Sequence, residues 1–203
     1  MLRKILAAAV VMSCAWGCAQ PSAASAAPVR SGFYEGLVLA VSPTGRVVGH
    51  FNMEQGEGVV KRCIFDFAGQ TRGNQAIIHS AGSRRLTGRI TATSADEVTF
   101  SMAHVKDLPG CGLVLPPEAE TAGGTELDLI KPGAWTDLAT VKSARVAFKA
   151  TPGGTGGRAY MVKGDVVGIL TRQGNQVKVV YPSERDTWAQ GWVAAADLAA
   201  SRP

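Results

Sequence analysis

The chain has 203 residues, 46% of them hydrophobic and 18% charged, enough apolar material to bury at least one sizeable core. Its formal charge of +5 falls to +3 once Arg3 and Lys4 leave with an N-terminal leader, and there is no dense Lys/Arg run or basic stripe interleaved with aromatics. That balance speaks against nucleic-acid binding and leaves anionic wall polymers or a membrane surface as compatible neighbours.

Residues 1–27 read as a signal peptide and tether. Arg3 and Lys4 form a basic start, residues 5–12 are apolar, and small residues dominate up to Ala27. The apolar part is too short for a stable membrane span. Two ways of processing fit: cleavage after Ala24-Ser25-Ala26, or lipidation at Cys18 or Cys14 with residues 20–31 as the tether. Neither cysteine has a leucine three residues upstream, where Ala15 and Val11 stand instead. Both routes end in the periplasm or cell envelope, and a lipid anchor would be the chain's tie to the membrane.

Two of the four cysteines lie in that leader, leaving Cys63 and Cys111. An even pair in an oxidising compartment reads as a disulfide. The rival is a catalytic thiol at Cys63, whose neighbours Lys61 and Arg62 would favour a thiolate. Against it, Cys63, Phe65 and Phe67 alternate on one face of a predicted strand, which points the sulfur into a core.

Residues 28–130 are predicted to form an antiparallel β barrel or sandwich, because short strands and turn signals recur and no amphipathic helix is present. Residues 33–41 read as one strand, turned by Ser42-Pro43-Thr44-Gly45 into a second over 46–53. Strands at 59–67 and 76–79 follow. Residues 86–93 and 98–105 pair around Ser94-Ala95-Asp96-Glu97, with Val98, Phe100, Met102 and His104 expected on one face. Residues 106–126 are irregular, and 125–130 is a last strand. Residues 131–142, opening with Lys131-Pro132-Gly133, read as a connector that includes Trp135.

The remainder, 143–203, carries the most organised pattern. Tyr160-Met161-Val162 runs into the turn Lys163-Gly164-Asp165, an apolar strand over 166–171 turns at Gly174, and Val177, Val179 and Tyr181 share one face of the next. Gly191-Trp192-Val193 and Asp197-Leu198 complete the set. This layout resembles the bacterial SH3-like domain, and the resemblance covers about the last third of the chain. It departs from that pattern at Gln176, where an aromatic commonly precedes the V-x-V strand. The resemblance implies a C-terminal SH3-like small barrel and a role in recognising wall peptides or a protein partner.

Motifs for chemistry are missing. His50, His79 and His104 stand alone, and there is no H-E-x-x-H, G-x-S-x-G, P-loop or C-x-x-C pattern. The run Gly153-Gly154-Thr155-Gly156-Gly157 lacks the lysine and the following helix of a phosphate cradle. Met102 with His104, and His50 with Met53, are the residues that would suit a soft metal, but core packing explains them more simply. Glu35 and Asp66 could meet only through the fold. The chain is therefore expected to be no enzyme and to need no cofactor or metal. Tyr181, Trp188 and Trp192 are the candidate ligand contacts, Trp188 expected to be the exposed one and Trp192 to fill the small barrel. The leading expectation is an envelope binding protein for peptidoglycan or an envelope protein. The alternative is a periplasmic inhibitor or immunity-type protein that blocks a wall hydrolase or toxin, inserting residues 106–124.

Overall fold

The computed structural model describes residues 27–185 and 187–200, so the expected signal peptide with Cys14 and Cys18 lies outside the described residues. The chain is all-β, and its only helical elements among the described residues are four single 3-10 turns. Eight antiparallel strands close into a barrel: β1 (Gly32–Tyr34), β2 (Leu37–Val41), β3 (Arg46–Gln55), β4 (Lys61–Arg72), β5 (Gln75–Ser80), β6 (Thr87–Ala92), β7 (Glu97–Met102) and β8 (Thr125–Pro132), with β8 returning to β1.

The expected single strand over 33–41 is a hairpin. Tyr34 pairs with Leu37, leaving Glu35-Gly36 as a two-residue turn, and Gly36 supplies the positive φ of 66° that such turns demand. The apolar residues on both sides hide the turn in the sequence. Inward alternation then fills the barrel with rings: Phe51 stands 5.1 Å from Phe65 and 5.2 Å from Phe100, centroid to centroid. Barrels of eight strands are just wide enough to be filled this way.

Residues 103–124 fold back on the barrel through 3-10 turns at Val105–Asp107, Cys111–Leu113 and Pro117–Glu120. Val105, Cys111, Val114, Leu115 and Ala119 all join the barrel core, so the segment expected to project as an inserting loop is largely committed inward. The Cys63 and Cys111 sulfurs are bonded, 48 residues apart in sequence. A loop of that length stabilises the fold by about 4 kcal/mol in the chain-entropy account. β7 ends at Met102, and His104 takes a left-handed φ of 61° with its side chain in solvent, so it does not share the inner face with Val98, Phe100 and Met102 as expected.

The second sheet has seven strands: β9 (Asp137–Val141), β10 (Arg145–Lys149), β11 (Gly156–Val162), β12 (Val166–Gln173), β13 (Gln176–Tyr181), β14 (Ala189–Ala194) and β15 (Leu198–Ala200), in the order β11-β10-β14-β13-β12-β9-β15. Residues 137–141, expected as connector, are thus a strand. Val177 and Val179 face inward with Phe148, Met161, Ile169 and Val193, and Tyr181 packs at the margin of that core.

Trp135 joins the two sheets. Its indole is 1% exposed and lies among Val38, Ala40, Val48 and Ala68 of the barrel and Leu138 and Val180 of the second sheet. Its Nε1–H donates to the Leu39 carbonyl at 2.8 Å. Gly133 and Gly168 make the slot, since a Cβ on either would sit 2.5 Å from the ring. Arg46 and Asp137 pair across the same seam at 3.0 Å.

Trp135→Ala should cost about 3–5 kcal/mol and split urea unfolding into two transitions, one for each sheet. One unchanged cooperative transition would show that the seam does not couple them. Reducing the disulfide should lower the barrel's transition by about 2–5 kcal/mol, read by the same melts with and without reductant.

Candidate ligand-binding cleft

Beside the Trp135 seam the two sheets diverge, and a cleft of about 630 Å³ opens between them. One wall is the β1–β2 turn and the outer face of β3. Phe51 is fixed inside the barrel, so alternation turns His50, Asn52 and Glu54 outward toward the cleft. Glu35 and Gly36 come from the turn. The opposite wall is Gly164-Asp165-Val166, entering β12, and Tyr181-Pro182-Ser183-Glu184, leaving β13. Phe33, Val38 and Ile130 supply apolar surface.

The charged side chains that line this cleft are carboxylates, one of which, Glu54, pairs with Arg62 at 2.8 Å. Glu35 and Glu54 stand on the barrel side and Asp165 and Glu184 on the other, and no Lys or Arg lines it among the described residues. Volumes of this size hold a small ligand or a few residues of a peptide. His50 is oriented by Asp66, directly opposite on β4, through a 2.7 Å contact between Nδ1 and Oδ1. Asp165 is held in place by the Val162 amide, which donates to its Oδ2 at 2.8 Å. Burial, then the Asp165 carboxylate, pushes the Tyr181 phenol above its ordinary value of 10.0, while Arg185 opposes the shift.

The three aromatic candidates end up in three places. Tyr181 lines the cleft. Trp188 is half-buried in the seam, 5.4 Å from Trp135 and edge-on to Phe33 at 6.3 Å, with Lys131 Nζ 4.6 Å over its ring. Its Nε1–H donates to the Ser183 carbonyl at 2.7 Å, so it braces the wall carrying Ser183 and Glu184. It is therefore not the freely exposed ring expected from its polar sequence neighbours. Trp192 alternates away from Gly191 and Val193, which are buried, and stays half-exposed outside all three apolar clusters. The expectation that it fills the small core does not hold, because Val193 takes the inward position.

Among the described residues no group of three or more His, Cys, Asp or Glu is arranged to hold a metal. Asp66 contacts His50, while Glu35 shares only the cleft lining with that histidine. Glu54, Asp165 and Glu184 carry no sequence signal, since they stand singly in turns and strand ends. Comparison with family models, curated proteins and solved structures finds no match to this chain.

Tyr34 is also shifted upward, chiefly by burial inside the barrel. Both folded phenols hold their protons above the unfolded value, so their stabilising contribution is complete below 10.0 and is lost as pH rises through the folded values. Tyr181→Phe and Tyr34→Phe should each remove part of that alkaline loss in urea melts between about pH 8 and about pH 11. An equally steep decline in both variants would contradict these assignments.

Proposed function

We propose that the protein is a non-enzymatic binding protein of the cell envelope whose inter-sheet cleft holds an extended peptide bearing a free amine, such as a peptidoglycan stem. The carrying observation is the arrangement of Glu35, Asp165 and Glu184 around a cleft with no lining Lys or Arg, the fourth carboxylate, Glu54, being paired with Arg62. An ammonium group would sit between opposed carboxylates, with its carbon chain against Phe33, Val38, Ile130 and the Tyr181 ring. The walls are pre-formed by the Trp135 seam and the Trp188 brace, which lowers the ordering cost of binding.

In this reading residues 143–203 are an SH3-like small barrel, supported by the run of successive hairpins and by the 3-10 turn Ala195–Asp197 just before β15. The envelope location rests on the leader pattern and agrees with the Cys63–Cys111 bond. The inhibitor reading has less support, because Val114, Leu115 and Ala119 of its inserting loop lie in the barrel core.

The test is binding of a lysine-bearing stem peptide to the mature protein by calorimetry. Glu35→Gln combined with Glu184→Gln should weaken binding about tenfold, as two partly exposed ion pairs are worth ~1.4 kcal/mol together. Acetylating the peptide's amine should have the same effect on the unaltered protein. Equal affinity for the acetylated and free peptides would overturn the proposal.

A further inference from the structure

Beyond Val180, which packs into the seam, the outer face of the second sheet is opposite in charge to the cleft. The four adjacent strands β11, β10, β14 and β13 contain no Asp or Glu, yet they carry Arg145, Lys149, Arg158 and Lys178. Register places three of their side chains in one row. Trp192 on β14 lies directly opposite Lys178 on β13 and directly opposite Lys149 on β10. Residues directly opposite in antiparallel strands share a face, so Trp192 stands between two lysines whose Cα atoms are about 10 Å apart, two strand spacings. Neither lysine has an ion-pair partner among the described residues.

A second cation–ring pair extends the face. Arg145 stacks its guanidinium 3.7 Å from the Tyr160 ring centroid, and Tyr160 is 49% exposed. Arg145 is four residues along β10 from Lys149, about 13 Å. The face is thus a flat strip with aromatic surface and uncompensated positive charge repeated along it.

We propose that this face, centred on Trp192, binds an anionic glycan. A sugar ring laid on the indole would meet the negative π face with its C–H groups, while carboxylate or phosphate substituents on either side reach Lys149 and Lys178. The half-buried position of Trp192 favours this over a membrane, which selects protruding apolar side chains that can enter the acyl layer.

The mature protein is titrated by tryptophan fluorescence and calorimetry at low salt with polygalacturonate, neutral dextran, linear polyphosphate and phosphatidylglycerol vesicles. Polygalacturonate should bind and dextran should not. Lys149→Gln with Lys178→Gln should weaken polygalacturonate and polyphosphate alike, at least tenfold. Trp192→Ala should weaken polygalacturonate about tenfold and leave polyphosphate within twofold, and Trp192→Phe should recover most of the loss. Unchanged thermal melts verify the fold, which is expected because these side chains lie outside the cores. Absence of polygalacturonate binding, an unaffected Trp192→Ala variant, equal binding of dextran, or tight binding of the vesicles alone would each overturn the proposal.

Discussion

Trp135 holds the architecture together. A large ring in a slot between Gly133 and Gly168 must lie flat, and its Nε1–H donates to the Leu39 carbonyl of β2. Burying the indole without that partner would cost about 1–3 kcal/mol for the unsatisfied N–H, a large part of what its apolar surface returns. With the partner in place, the ring brings outward-facing residues of the barrel, Val38, Ala40 and Val48, against Leu138 and Val180. Two sheets that could each close over a private core are thereby set in one orientation.

That orientation creates the cleft. None of the carboxylates around it lies on the seam, but the angle at which the sheets leave the seam decides which outer faces meet. β3 shows the effect along a single strand: Val48 faces the seam, and His50, Asn52 and Glu54 follow it outward into the cleft. Trp188 adds a second brace by tying the Ser183 carbonyl to the same ring cluster. The separation of charge follows, with carboxylates gathered in the cleft and Lys149, Lys178 and Arg145 further along the outer face of the second sheet, the face that packs at Val180 into the seam.

Much was legible from residues alone. Alternation in C-I-F-D-F and V-K-V-V-Y places Cys63, Phe65, Phe67, Val177 and Val179 inside, as the structure has them. The Cys63–Cys111 bond follows from counting cysteines outside the leader. The turn at Glu35-Gly36 was hidden because apolar residues flank it on both sides. The two tryptophans exchanged their expected settings for a similar reason: Trp188 sits among polar residues in sequence but packs on Trp135, and Trp192 sits in an apolar stretch but alternates outward.

Strand period, turn chemistry and cysteine parity are local properties, and they alone determine that this chain is all-β and that Cys63 and Cys111 are cross-linked. Which outer faces confront each other is not local. It depends on barrel closure between β1 and β8 and on a single indole that bridges the sheets, contacts separated by about a hundred residues, 96 for Trp135 and Leu39. The acidic cleft and the Lys149–Trp192–Lys178 row exist only through such pairings, because a strand's register, and not its sequence neighbours, selects what stands beside each side chain.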